Sequence, residues 1–317
     1  MTDDPRVKFC KLIDLQSSRV LLAPHITFIC GGPVDIRVMN NHSIRNMFMN
    51  LSATMSDQSE GFVLAENFKD WQHGYSNLAD FESDIASLSS NIVIILESPG
   101  ALAELGLFFA NQELRKKMVV VVHNSHHSSE SFIKFGLLNP LEQLREEAVL
   151  VYKIDPEKID EISKDDVREI VTDIIAINAG LDKTSAFDLD NRGHVVFLIF
   201  QIIDLFTILT LSDVEFFMEI MGVGQRRKDV ISALYILKKF GLINEEKRSS
   251  QTFYFVKNDV SDRVSLHFIK DESVKDSPRR YDTRAVKLEV LSFYYQEKKE
   301  NRGFAQRLRL WEQQSEA

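Results

Sequence analysis

Apolar residues follow two different patterns along this chain, and the change between them falls near residue 180. Before it, short apolar runs alternate with longer stretches of helical spacing. Residues 25–30 (HITFIC), 62–64, 91–96 (NIVIIL), 118–122 (MVVVV) and 149–152 (VLVY) show no period-2 polar face. Such runs predict strands buried on both sides. Between them, residues 43–55 place Ile44, Met47, Phe48 and Leu51 on one side, and residues 78–88 do the same with Leu78, Phe81, Ile85 and Leu88. A further helix is predicted over 162–177. Strand alternating with helix, all strands buried, predicts a parallel sheet with helices on both faces over residues 1–180.

Residues 181–193 (LDKTSAFDLDNRG) lose the periodicity and read as a linker. The segment 194–317 is α-rich. A strongly apolar helix over 194–209 is followed by a short one to Met221, with Ser212 and Glu215 as a capping box. Gly222 and Gly224 make a turn, and a helix over 225–240 ends at Gly241. Ile243, a polar turn over 244–250 and the run 252–256 (TFYFV) predict a two-stranded ribbon. Helix, helix, turn, helix, ribbon is the order of a winged helix-turn-helix. One long charged helix is predicted over 285–314.

Charge sharpens this division. The net charge of −9 is spread as −10 over residues 1–180 and +1 over 181–317. The acidic part argues against broad nucleic-acid binding there, while the near-neutral part permits a local basic patch. Cys10 and Cys30 are the two cysteines, which excludes a disulfide framework or zinc site and points to a reducing compartment. The acidic start lacks a signal-peptide apolar core. The greasiest stretch, 195–211, is broken by Gln201 and Asp204 and is too short to span a bilayer. A soluble cytoplasmic protein with no membrane partner is expected.

The chemistry concentrates in residues 91–106 (NIVIILESPGALAELG). The strand stops at Glu97, and Ser98-Pro99-Gly100 supplies a helix start with a hydroxyl cap and proline at the first position. Glu104 follows among Leu102, Leu105 and Phe108, an awkward setting for a merely solvated charge. Two carboxylates thus sit where a buried strand ends and a helix begins, the edge at which open α/β sheets bind small ligands. A carboxylate beside C1 of a ribose can stabilise or attack the oxocarbenium-like centre of N-glycosidic cleavage. Glu104 is the better nucleophile candidate, with Glu97 and Ser98 as positioning groups. Equally open on these residues alone is helix-start decoration through the macrodipole. Gly31-Gly32 closes the first strand at the same edge, where backbone can approach a ligand. Arg45 could meet a diphosphate there or be a surface arginine.

These residues resemble retron effector proteins that join a nucleoside deoxyribosyltransferase-like (Rossmann-like) domain to a winged-helix DNA-binding domain. The matching elements are Phe28-Ile29-Cys30-Gly31-Gly32, Ser43-x-Arg45, Leu78 to Glu82, Glu97-Ser98-Pro99-Gly100 with Glu104-Leu105-Gly106 and Phe108, and Ser131-Phe132-Ile133 with Gly136. The resemblance implies that Glu104 is the catalytic nucleophile. It places Gly31, Gly32, Arg45, Glu82, Glu97, Ser98, Pro99 and Gly100 around the substrate, with NAD⁺ the leading substrate candidate and neither cofactor nor metal required. It also implies an anti-phage toxin restrained by a reverse transcriptase and its RNA–DNA product. Two positions depart from the wider transferase superfamily. Ser98 stands where an aspartate usually precedes the nucleophile by six residues, and Asn91 replaces an aspartate common just before the strand. They leave hydrolysis, or a nucleotide sensor without turnover coupled to a DNA-binding regulator, beside transfer.

Other constellations are weaker. His123-Asn124-Ser125-His126-His127 reads as a polar loop that could line the pocket rather than as a metal site. Phe132, Phe135 and Leu137 are expected in the core. For nucleic acid, Arg226, Arg227 and Lys228 fall at the start of the recognition-helix candidate and Lys247 and Arg248 on the wing. Basic residues beside Leu308, Leu310 and Trp311 in the last helix predict a partner or self-association surface, hence a homo-oligomer or higher assembly.

Overall fold

The structure, a computed structural model, describes residues 4–34, 42–55, 61–256, 260–270, 282–299 and 301–315. The chain begins with α1 (Pro5–Leu12) and β1 (Ile13–Leu21). Then follow β2 (Thr27–Cys30), α2 (Ile44–Thr54), β3 (Phe62–Val63), α3 (Leu78–Leu88), β4 (Asn91–Ile95), α4 (Pro99–Ala110) and α5 (Gln112–Arg115). Next come β5 (Met118–His123), α6 (Asn124–Ser128), α7 (Asn139–Leu144), β6 (Val149–Tyr152) and α8 (Lys164–Ala179). The remainder is β7 (Thr184–Ala186), α9 (Arg192–Leu205), β8 (Ile208–Thr210), α10 (Leu211–Ile220) and α11 (Arg227–Lys239). The ribbon β9 (Ile243–Arg248) and β10 (Gln251–Val256) leads to β11 (Val264–Phe268), α12 (Thr283–Glu297) and α13 (Arg302–Ser315). These elements form two compact units. One holds Leu22–Trp71 and Ser76–Lys183, the other Met1–Leu21, Gln72–Tyr75 and Thr184–Ala317.

The first unit is a five-stranded parallel sheet of order β3-β2-β4-β5-β6. All of β4 is buried, as are the first five residues of β5, which is why these strands lack a polar face. Side chains alternate across the sheet. Ile29, Val93, Ile95, Val119 and Val121 join Ile44 and Phe48 of α2 and Val167, Ile170, Val171 and Ile174 of α8 in one core. Phe28 points the other way and meets Phe108 of α4 at 6.1 Å. Fully burying each such side chain is worth about 1.5–3 kcal/mol, so the central strands anchor the unit. Asn91 begins β4, at the end of the sheet opposite Glu97. Its side-chain N–H donates to Asn178 (2.9 Å), which donates to Thr27 (2.9 Å). Asn91 therefore ties α8 to the sheet.

The second unit contains two antiparallel sheets, β11-β1-β7 and β8-β10-β9. Every residue of α9 from Gly193 to Ile203 is buried, as a helix apolar all round must be. No helix among the described residues is long and apolar enough to cross a membrane. Arg6 of α1 is buried over the rings of Phe217, Tyr294 and Phe304, at 5.1, 5.3 and 5.1 Å, while Asp4 holds its guanidinium at 2.6 Å. That contact rivets α1 to α10, α12 and α13.

Several expectations change. Residues 1–21, placed by periodicity with the first half, pack with the second: β1 pairs with β11 (Val20 opposite Val264) and with β7 (Leu21 opposite Thr184). The segment 181–193 contains β7 rather than linker alone. The apolar stretch over 194–209 breaks at Phe206, and Ile208 to Thr210 join β10. This pairing moves the cap of α10 to Thr210. Its hydroxyl accepts from the Asp213 N–H and the Asp213 carboxylate accepts from the Thr210 N–H (2.8 Å). Ser212 is not the cap. The last helix is two, because Phe304 folds back to stack on Tyr294 at 5.2 Å. Phe132 and Phe135, expected in the core, are 78% and 55% exposed.

Candidate functional site

Strand order brings the C-terminal ends of β2 and β4 side by side, with Cys30 opposite Ile94. The first strand of this sheet thus neighbours the third, and the crevice at such a reversal is where open α/β sheets bind ligands. Gly31 and Gly32 leave one strand there, and Glu97 and Ser98 the other. Ser98 caps α4 by accepting from the Ala101 N–H at 3.1 Å, with Pro99 as the first helical residue.

Glu97 turns its carboxylate toward the backbone. It accepts from the N–H groups of Gly32 (2.8 Å), Ile44 (2.5 Å) and Arg45 (2.9 Å). Ile44 and Arg45 are the first residues of α2, so the carboxylate fills the anion-favouring end of that helix itself. Burial raises the Glu97 pKa, opposed by these three amides. The close fit depends on glycine. A Cβ on Gly32 would lie 2.6 Å from the Ser43 Cβ and 3.0 Å from the Glu97 Cδ. Gly32→Ala is therefore expected to cost about 1–3 kcal/mol through overpacking, measured as a lower urea midpoint with unchanged slope.

Arg45 is 4% exposed, neither a surface arginine nor free to clamp a diphosphate. Its Nε donates to the Gly32 carbonyl (2.6 Å), one terminal nitrogen donates to the Ile29 carbonyl (3.2 Å), and its guanidinium pairs with Glu66. Glu66 lies in the 3₁₀ turn Ala65–Asn67 just past β3. It was missed in the sequence, although it follows a strand end at the same sheet edge.

Glu104 extends from the second turn of α4, with the Cys30 thiol beside it. Its Oε2 is buried with no hydrogen-bond partner among the described residues. Burial, then the neighbouring Glu82, pushes the Glu104 carboxyl up to about 7. Glu82 of α3, 9% exposed, is pushed up to about 7 by burial and then by Glu66. Burial and these carboxylates raise the Cys30 thiol well above its ordinary value, so it stays protonated and can donate. Near neutrality, Glu82 and Glu104 share less than their full charge. An unpartnered buried carboxylate oxygen beside a second carboxyl is an arrangement awaiting a polar or cationic ligand.

Beyond β4, a cavity of about 590 Å³ is lined by Ser98, Pro99, Leu102, His123, His126 and Asp155 among others. The histidine run thus lines a pocket, although Asn124–Ser128 is a helix rather than a loop, and His127 pairs with Glu142 at 2.8 Å. No group of three or more His, Cys, Asp or Glu side chains suited to a metal occurs among the described residues. Gly31 and Gly100 stay at the crevice edge.

The nucleic-acid candidates lie in the second unit. Arg226 is held by Asp229 (2.7 Å), Arg227 by Glu215 (2.6 Å) and Arg248 by Glu246 (2.6 Å). Lys228 and Lys247 are exposed.

Comparison with known proteins adds an independent line. A family model described as STM3845 retron effector protein matches residues 41–245, a span that includes Glu66, Glu82, Glu97, Glu104 and α11. The "Retron Ec73 putative ribosyltransferase/DNA-binding protein" of Escherichia coli is 30% identical over 230 residues, covering 64% of this chain and 70% of that protein. The "Retron Ec86 putative ribosyltransferase/DNA-binding protein" of the same organism is 31% identical over 125 residues, 39% of each chain.

Proposed function

The chain belongs to the STM3845 retron effector family and is a retron defence effector; from that premise we propose that its parallel-sheet unit cleaves an N-glycosidic bond, that of NAD⁺ first among candidates. The observation that carries this reading is the buried, unpartnered oxygen of Glu104 at the sheet's reversal point. The names of the two Escherichia coli relatives, which speak of ribosyl transfer, are consistent with it.

In this mechanism the ionised Glu104 carboxylate lies against C1 of the ribose attached to nicotinamide. It stabilises positive charge as the C–N bond breaks, or bonds to that carbon, and neutral nicotinamide departs with the bonding electron pair. Water then takes the sugar carbon, releasing ADP-ribose and a proton and restoring Glu104. Glu82 adds negative charge beside the developing cation when ionised. The crevice end walled by Gly31 and Gly100 offers backbone approach, and the cavity beyond Ser98 offers room for the rest of a dinucleotide. Glu97 and Arg45 position the crevice walls from behind.

The leaving group sets the pH dependence. Nicotinamide leaves without protonation, so NAD⁺ cleavage requires only that Glu104 be ionised. Its rate is expected to rise with pH through about 7 and then level off. A purine nucleoside, whose base leaves more readily when protonated, would add a falling limb as Glu82 loses its proton. Initial rates of base release between pH 5 and 9 distinguish these outcomes. The decisive cellular measurement is the NAD⁺ pool. Wild-type protein induced without a restraining reverse transcriptase and its RNA–DNA product depletes NAD⁺, and an intact pool in arrested cells overturns the activity.

A sensor without turnover remains the second reading, favoured by one observation. Glu97 is engaged with three backbone amides, which leaves the crevice with fewer acidic groups than its sequence promised. Saturable NAD⁺ binding with no base release would support it. In either reading the second unit acts as a winged helix on nucleic acid, with α11 and the β9–β10 ribbon as recognition helix and wing.

A further inference from the structure

We propose that the groove between the β9–β10 turn and α13 binds the phosphate backbone of a nucleic-acid strand. This deepens, and rests on, the nucleic-acid reading of the second unit. The groove encloses about 840 Å³ and is lined by Arg248, Ser249 and Ser250 from the turn and by Arg302, Arg307 and Arg309 from α13, with Arg6 behind them. Arg6 and Arg307 are buried and matched by Asp4 and Asp213. Arg302 and Arg309 differ, being exposed with no ion-pair partner among the described residues.

Spacing along α13 supports a strand rather than an isolated anion. Arg302 and Arg309 are seven residues apart, two helical turns, so they share a face about 10 Å apart along the axis. Nucleic-acid backbone carries one charge per roughly 3.4 Å of each strand, and about three phosphates cover that distance. The other sides of α13 carry the buried Phe304, Leu308 and Leu310, which leaves the face of Arg302 and Arg309 toward solvent. Across the groove, Ser249 takes φ 54 in the tight turn, and its hydroxyl and that of Ser250 are additional donors of the kind that meet phosphate. Arg248 is oriented at the rim by Glu246 and by Gln313 at 2.7 Å. Guanidinium groups suit phosphate because they donate in pairs.

Charge balance favours this groove over the start of α11. There Arg226 and Arg227 each have a carboxylate on them, leaving Lys228 as the one of the three with no ion-pair partner among the described residues. The basic residues of the last helix, read from sequence as a partner or self-association surface, thus acquire a nucleic-acid role.

The test uses the full chain and fluorescent oligonucleotides of several sequences: single-stranded DNA, an RNA hairpin and duplex DNA, each titrated at several salt concentrations. For whichever form binds, Arg302→Ala/Arg309→Ala is expected to weaken affinity about tenfold for every sequence. It should also lower the slope of log K against log salt by about 1.5, two phosphate contacts' worth. Arg302→Lys/Arg309→Lys should restore most of the slope, and an unchanged melting curve shows that the exposed positions left the fold intact. Wild-type affinity and slope in the alanine variant, with loss confined to Arg226→Ala/Arg227→Ala/Lys228→Ala, would overturn the groove while leaving nucleic-acid binding in place. Failure of the wild-type protein to bind any of the oligonucleotides overturns both.

Discussion

Glu104→Gln is expected to reduce N-glycosidic cleavage by on the order of a thousandfold or more while raising the melting temperature above pH 7. The loss of rate follows from removing the charge that the proposed mechanism sets against the sugar carbon, a group worth at least what a positioned acid or base contributes. The gain in stability follows from linkage. Burial raises the Glu104 pKa from about 4.5 to about 7 in the folded chain, so folding favours the protonated form. Below about 4.5 both folded and unfolded chains carry the proton and no penalty exists. The penalty grows between 4.5 and 7 and is complete above 7. Glutamine never ionises and avoids it. Melting should therefore rise at pH 8, by about 2–4 °C for each kcal/mol relieved, and show little difference at pH 4. A variant that is inactive and less stable at pH 8 would indicate that Glu104 is a structural residue. Full activity in Glu104→Gln would remove the proposed chemistry altogether.

Glu97→Ala should do the reverse, losing the fold first and activity only as a result. Its carboxylate satisfies three backbone amides at the start of α2 and at Gly32. Without it those donors stay inside the crevice wall with no acceptor, at about 1–3 kcal/mol each where water cannot reach. A total loss of about 3–5 kcal/mol is expected, a large share of the 5–15 kcal/mol that holds a typical domain together. Chemical denaturation of the variant measures the loss. Glu97→Gln retains one acceptor oxygen and should lose less. If Glu97→Ala unfolds at the wild-type denaturant concentration yet binds NAD⁺ weakly, Glu97 touches the ligand and the assignment of a purely positioning role fails.

The residues alone already set Glu104 apart as the nucleophile candidate and Glu97 as a positioning group, but they could not show what Glu97 holds. Both lie within eight residues around a helix start, and nothing local says which turns inward to amides and which stays open. The deciding partners, Ile44 and Arg45, lie more than fifty positions upstream. The strands β2, β4 and β5 were legible because burial on both faces leaves an uninterrupted apolar run, and the edge strands β3 and β6 were legible from apolar runs although both are partly exposed. The start of α4 at Ser98 was legible because a cap is a local hydrogen bond, and α2 was legible because its apolar residues recur at helical spacing. The strand β1 was not, since its sequence IDLQSSRVL is largely polar and its strand character comes from β11 and β7, far along the chain. The cap of α10 moved for the same reason, because pairing of β8 with β10 decides where the helix can begin. Arg45 was legible as a site residue but not as a buried brace, because its partners come from two other segments, the carbonyls of Ile29 and Gly32 at the end of β2 and Glu66 past β3. The pairing of Arg226 with Asp229 was within reach of sequence reading, three residues apart, whereas that of Arg227 with Glu215 needed the turn between α10 and α11.

The pairing of β1 with β7 and β11 also bears on how the protein is made. Synthesis runs from the N-terminus, so α1 and β1 leave the ribosome long before Val264 exists. At roughly 5–20 residues per second, β1 waits on the order of 10–50 s for its last partner strand. The parallel sheet suffers no such delay. Its fifth strand ends at Tyr152 and its covering helix at Ala179, so once α8 has cleared the ribosome Glu104 can be seated in a finished crevice, well before Val264 has been translated. The unit that holds Glu104 can be complete first, and the unit that holds α11 and α13 closes last, when the ribosome finally supplies the strand that β1 has been waiting for.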